Sequence, residues 1–290
     1  MIAYNSDAWW KTVFSFRGTV LPQILGRVGL LTGLCLSLCL INDYVLTRFG
    51  NQLPELDPLG HTVLGTALGL LIVFRTNSSF SRYWEARSHW GGIVNCSRNL
   101  ARSTTAYAGP ADDLGRLIVA FAIVLKQRLR DSNDYSAAKC LITSESFDRL
   151  SKVSDPPGIL ALGLSDWIAR RLKEDRLSPA MANELEEALA KLVDCQGGCE
   201  KIRRTPLPFV YAALIKQILL LYLLTLPFVL VAKMGFAAPL VLAVVALGFL
   251  GIEEAGVEFE NPFGTAPNGL PLESICEMIA NNVTDTTRTS

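Results

Sequence analysis

Residues 59–90 read LGHTVLGTALGLLIVFRTNSSFSRYWEARSHW, and this stretch decides the fold. No charge occurs from Leu59 to Phe74; Arg75 then opens a run dense in Arg, Trp and Glu. No proline interrupts the chain from Leu59 until Pro110. A helix that leaves lipid and continues into water has this composition. Thr62, Thr66, Leu70 and Phe74 recur at i+4 and form one slowly drifting stripe on such a helix. Such a stripe also suits lipid contact or packing, and Gly65 and Gly69 beside it suit close helix approach.

Three further apolar runs flank this stretch. The first span covers about 24–46, with Asp43 near its far end, and Gly50, Pro54 and Pro58 mark the turn that follows. The second is the 59–75 stretch itself. Its uncharged core is shorter than the roughly 20 residues a helix needs to cross hydrocarbon, a shortfall met if it lines water or packs within a bundle. The third runs from about 209 to 232. Lys216 and Gln217 interrupt it at a position from which a lysine can snorkel to headgroups, and Pro227 is a candidate kink. The fourth, 234–252, is separated from the third by Lys233, which predicts a tight hairpin. Before the first span, Trp9, Trp10, Phe14 and Phe16 lie beside Lys11 and Arg17, a composition suited to the headgroup zone and not to a cleavable signal.

Four spans put both chain ends on one side. If that side is the cytoplasm, only Arg48 and Lys233 of the 27 Lys and Arg lie outside. The positive-inside rule therefore predicts cytoplasmic termini, a cytosolic 76–206 region and a cytosolic C-terminal segment 253–290. The expectation is a multi-pass protein of the cell membrane, the inner membrane in a bacterium.

The 76–206 region reads as all-α. An amphipathic helix covers 115–130, with Leu117, Ile118, Phe121, Leu125 and Leu129 on one face. The DPPG at 155–158 reads as a break, with a helix starting at Ser165. In 178–194, Ser178 is the cap, Pro179 the first turn, and Leu185, Leu189 and Leu192 the apolar face. After the fourth span, Glu253, Glu254, Glu258 and Glu260 form an acidic cluster, either solvated or paired with the arginines of 75–102. NPFG and PNGLP after it are turn chemistry.

Composition narrows the function classes. Half the residues are hydrophobic and mean hydropathy is +0.31, with the charges segregated from the apolar runs. The net charge of zero and the lack of a basic-aromatic patch give no case for nucleic acid. Cys195 and Cys199, at C-x3-C, have no second ligand pair nearby. The 7 cysteines therefore read as free thiols of a reducing compartment, and no metal site is expected. No P-loop, H-E-x-x-H or Ser/His/Asp arrangement suggests an enzyme. No repeat or carboxylate-bearing broken span suggests a secondary transporter.

FRTNSSFSRYWEARSHWG at 74–91 resembles the FRxNxxYxRWWEgRxxWG motif of bestrophins, in their prokaryotic and plant branch. FSFRGTVLPQILGR at 14–27, LLYLLTLPF at 220–228 and EFENPFGTAPNGLPLE at 258–273 agree in the same order, so the resemblance spans nearly the whole chain. It implies that residues 1–290 form a single channel subunit with four transmembrane helices and a cytosolic helical vestibule. The subunits would assemble as a homopentamer around a central pore. It implies conduction of small inorganic ions, chloride or another anion by family, through a hydrophobic neck on the second span. By position the neck residues are Thr66, Leu70 and Phe74, where Thr66 replaces a bulky apolar residue and makes a wetter ring. Thr62 and Arg75 are further pore-lining or vestibule candidates, and a second constriction falls within 180–184: Ala180 would be neutral, Glu184 would favour cations. Arg82, Trp84 and Glu85 form the junction of span and vestibule, with Arg82 and Glu85 spaced as a pair. The family's calcium clamp follows NPFG; here Thr265, Ala266, Pro267, Asn268 and Gly269 offer no carboxylate, so no calcium clamp and no cofactor are expected.

The partners implied are other copies of the chain, membrane lipid and permeant ions. Two alternatives stand beside the anion channel: a cation-selective channel of the same architecture, and a non-conducting membrane scaffold, which would have no need of an axial i+4 stripe.

Overall fold

The computed structural model describes residues 9–288. Among them the chain is helical with no strand. In order the helices are α1 (Trp9–Val13), α2 (Leu21–Ile41), α3 (Pro58–Ala108), α4 (Asp112–Leu129), α5 (Ser144–Leu150), α6 (Pro156–Lys173), α7 (Pro179–Arg204), α8 (Phe209–Thr225), α9 (Pro227–Met234), α10 (Ala238–Glu260) and α11 (Leu272–Arg288). The chain ends, assigned by charge to the cytoplasm, lie outside the described residues. The helices divide into two units, one of residues 9–82 and 207–260, the other of 83–206 and 261–288.

Three helical stretches are long and apolar enough to cross a membrane: Leu21–Phe49, Pro58–Ala108 and Phe209–Glu260. All of the first and third, and the start of the second, belong to the first unit. In that unit α2 continues through a wider turn over Asn42–Leu46 and ends at Gly50, whose φ of 70° needs a glycine. The α3 helix begins at Pro58, a residue whose missing N–H costs nothing at a first turn. The third stretch is interrupted twice. Pro227 starts α9 after Leu226, as the proline predicted, and Gly235 reverses the chain at φ 52°. Beyond that reversal α10 runs back along α8: Phe249 stacks edge-on to Tyr222 with ring centroids 5.5 Å apart, and Glu253 reaches Lys216. The expected hairpin is therefore present.

The core of this unit is aliphatic. Ile24, Leu31 and Cys35 of α2 pack with Leu68 and Ile72 of α3, Ile215 and Leu219 of α8, and Leu242 and Ala246 of α10. Gly65 acts as the close-approach residue the sequence suggested, since a Cβ there would stand 2.9 Å from Tyr222 Oη. Gly69 has no neighbour from its own chain within 4 Å of that position. Near Gly65, His61 Nε2 lies 2.9 Å from Thr225 Oγ1.

In the second unit α4 is the central element. Leu114, Ile118, Phe121 and Leu125 are fully buried, enclosed by α6 and α11. The α6 helix corrects the sequence reading, since it starts at Pro156 and not at Ser165. Asp155 Oδ1 accepts from the Gly158 amide at 3.1 Å, and the prolines occupy first-turn positions that need no donor, so DPPG opens a helix instead of breaking one. Ser178 caps α7 as expected, accepting from Met181 at 3.3 Å, and α7 runs on to Arg204. The turn after Asn261 is closed by the Leu270 amide donating to Pro262 O at 2.8 Å. Arg130 holds it, donating from Nε to Phe263 O at 3.1 Å and pairing with Glu273. That guanidinium depresses the Glu273 carboxyl to about 2. No two of the cysteines are bonded; burial pushes the Cys276 thiol up to about 12 and raises Cys199 further, so both stay protonated and inert.

Candidate functional site

A helix turns about 100° per residue, so the i+4 row of α3 drifts only slightly and keeps one outlook over three turns. The structure leaves that row uncovered. Thr62, Thr66, Leu70 and Phe74 are all exposed, Leu70 at 56% and Phe74 at 55%. Val63, Ala67 and Val73 share the exposure, so the open face is broader than the stripe read from sequence. The opposite side of the same turns is closed by Leu68, Ile72, Arg75 and Ser79.

The open row continues past Phe74 through Asn77, Ser78 and Ser81, all exposed. These were not singled out from sequence, although extending the i+4 count from Phe74 lands on Ser78. Their inclusion changes the chemistry of the face, for its apolar part on this row is now Leu70 and Phe74, bounded by hydroxyls on either side. Those hydroxyls are turned inward on the helix. Thr62 Oγ1 donates to Pro58 O at 2.9 Å, Thr66 Oγ1 to Thr62 O at 2.8 Å, and Ser78 Oγ to Phe74 O at 3.0 Å. Their hydrogens are spent on backbone carbonyls, and what they offer outward is methyl groups and oxygen lone pairs.

Arg75, expected on the pore or vestibule surface, lies instead on the buried side at 2% exposure. Its Nη1 donates to Glu253 Oε1 at 2.5 Å, and its Nε and Nη2 donate to Glu260 Oε1 at 3.2 and 2.8 Å. Glu253 is itself only 3% exposed. The physical reason is solvation: a guanidinium this deep is tolerable only with carboxylates and hydrogen bonds in place, and α10 delivers both acids two turns apart. Of the two fates open to the acidic cluster, pairing wins for Glu253 and Glu260. Glu254 pairs with Arg27 of α2 at 2.8 Å, a partner outside the arginines considered. Lys216, read as snorkelling, turns its ammonium toward Glu253 at 3.4 Å.

In the second unit, Trp84 is 62% exposed. Glu85 lies 3.1 Å from Lys201 Nζ, and His89 Nε2, one turn further along α3, stands 3.8 Å from it. Arg82 is half-buried at the end of the first unit. Ala180 and Glu184 are both exposed, one turn apart on the same face of α7. No group of His, Cys, Asp and Glu among the described residues is arranged to hold a metal ion.

Known proteins resemble this chain in sequence and in fold. Residues 1–285 match the family model for bacterial and fungal bestrophin proteins. A voltage-dependent anion channel-forming protein of Nostoc is 36% identical over 291 residues, covering 97% of this chain and 92% of the relative. One from Synechocystis is 32% identical over 285 residues, covering 96% and 91%. The crystal structure of a bacterial bestrophin homologue from Klebsiella pneumoniae shares 28% identity and a TM-score of 0.84, over 92% of this chain and 99% of that one.

Proposed function

This chain belongs to the bacterial and fungal bestrophin family, and from that premise we propose that it is the pore-forming subunit of an anion channel in the cell membrane. The observation that carries the reading is the uncovered α3 row, Thr66, Leu70 and Phe74, set opposite a side that is fully engaged. Copies of that row around an axis form a hydrophobic neck that excludes water until widened. The proposed assembly is a homopentamer. Each subunit crosses four times, at about 24–46, 59–75, 209–232 and 234–252, with both termini, 76–206 and 253–290 in the cytoplasm. Thr62 lines the outer approach; Ala180 and Glu184 face a cytosolic vestibule; Arg82, Trp84 and Glu85 join the two parts.

A cation-selective channel is the second reading, and a specific observation favours it. The Thr62, Thr66 and Ser78 hydroxyls present lone pairs outward, and Arg75 is neutralised by Glu253 and Glu260, so the α3 row from Thr62 to Ser81 shows no cation to an ion. Reversal potentials of the purified protein in planar bilayers under a potassium chloride gradient separate the two. A shift toward the chloride equilibrium potential supports the first reading and a shift toward potassium the second. Absence of current would leave the non-conducting scaffold.

A further inference from the structure

The first unit contains a groove of about 390 Å³ between α2, α8 and α10. It is lined by leucines along most of its length, Leu30, Leu220, Leu224 and Leu250 among them, and by Arg27, Lys216 and Glu253 at one end. Along α8 the distance from Lys216 to Leu224 is about 12 Å. The groove is therefore polarised: charge at one end, then two turns of hydrocarbon wall. Arg27 and Lys216 are each about half exposed, at 54% and 53%.

The acids at this end are already engaged. Glu253 lies 2.5 Å from Arg75 Nη1, and Arg27 gives one guanidinium nitrogen to Glu254. A guanidinium carries five N–H groups and an ammonium three, so both cations keep donors for a further acceptor. These helices form stretches apolar enough to cross a membrane, and in a bilayer a groove left open on such helices faces lipid.

We propose that the groove is a binding site for an anionic phospholipid. Its phosphate is held between Arg27 and Lys216, and an acyl chain lies along the leucines of α2 and α8. The complementarity is to the whole amphiphile: a free phosphate has no use for the leucine wall, and an uncharged diglyceride has none for the two cations. The proposal rests on membrane insertion and not on conduction, so it stands or falls separately from the channel reading.

Native mass spectrometry of the delipidated, detergent-solubilised protein tests it, with phosphatidylglycerol, a diacylglycerol of the same chains, and inorganic phosphate added in separate arms. Phosphatidylglycerol is expected to remain bound where the other two do not. Arg27→Gln or Lys216→Gln weakens retention about fivefold, and both together about thirtyfold, from the usual contribution of a basic residue at an anionic membrane surface. Lys233→Gln, at the other end of the hairpin and outside the groove, leaves retention unchanged. Equal retention of diacylglycerol, binding of phosphate alone, or equal loss in Lys233→Gln would each overturn the site. So would absence of lipid together with disulfide cross-linking of two copies through Leu30→Cys, which would show a second copy covering the groove. Should the double variant fail to fold, the wild-type comparison of phosphatidylglycerol with diacylglycerol still decides.

Discussion

The two ends of α3 are built inside out relative to each other. From Pro58 to Arg82 the exposed side carries Val63, Leu70, Val73 and Phe74, and the buried side carries a guanidinium. From Tyr83 to Ala108 the buried side carries Trp90, Ile93 and Leu100, and the exposed side carries Arg87, Asn95, Arg98 and Arg102. One uninterrupted helix thus obeys two solvents. In water, apolar groups are hidden and charges shown. Within the apolar unit the exposed apolar surface costs nothing, and the buried side holds, beside Leu68 and Ile72, the charged group that needs partners. The difference teaches that side-chain polarity alone does not tell which face of a membrane helix is the packed one.

Substitutions on the two ends break or sharpen that contrast. Trp90→Ala, in the conventionally packed end, is expected to cost about 3–5 kcal/mol, read as a lowered unfolding midpoint of the solubilised protein. Arg75→Gln, in the inverted end, leaves Glu253 buried without its guanidinium. We expect a loss of about 3 kcal/mol, the low end of the range for a broken buried pair, because Lys216 remains 3.4 Å from Glu253. Replacing the pair with Arg75→Met and Glu253→Leu should recover most of that loss in the same assay. If Arg75→Gln is harmless while Trp90→Ala is not, the buried pair does not anchor α3.

Phe74→Ala, one residue from Arg75, should change stability by less than about 0.5 kcal/mol, as exposed positions do. Combined with Leu70→Ala it should nonetheless raise single-channel conductance severalfold, since it removes the apolar part of the neck. Unchanged conductance would assign the row to lipid contact. The smallest effect concerns the second unit alone. Glu273 is held at about 2, against an ordinary 4.5, by hydrogen bonding to Arg130. A depressed carboxyl contributes stability that is fully present above its unfolded value and lost as pH falls through the folded one. Between pH 4.5 and 2 the wild type should therefore lose stability more steeply than Arg130→Gln, in which the window disappears; parallel curves would show that the Arg130–Glu273 pair adds no stability.

Much of this was legible in the chain. The apolar runs, the hairpin and the Ser178 cap follow from local rules that a sequence displays directly. The α6 start was missed because Asp-Pro-Pro-Gly satisfies both a turn rule and an N-cap rule, and only the packing of Leu160 and Leu164 decides between them. The pairing of Arg75 with the acidic cluster was among the expectations, but the side of α3 it occupies is not locally encoded. Its partners lie 178 and 185 positions away, and no periodicity around residue 75 encodes them. The row through Leu70 and Phe74 was visible as a period, but that it stays uncovered is a property of what packs on the other side.

The adjacency of Phe74 and Arg75 has a mechanical consequence. Neighbouring residues on a helix point about 100° apart, so fixing the azimuth of one fixes the other. The guanidinium is gripped along two edges by carboxylates of α10, and the helix cannot roll about its own axis at this height without tearing those contacts. Torque applied to the open face is passed to α10 before it can turn Phe74 aside. In the proposed neck, widening at Phe74 would therefore tilt or translate α3 and α10 as a coupled pair, and because α3 is one unbroken helix the same clamp also sets the azimuth of Thr66.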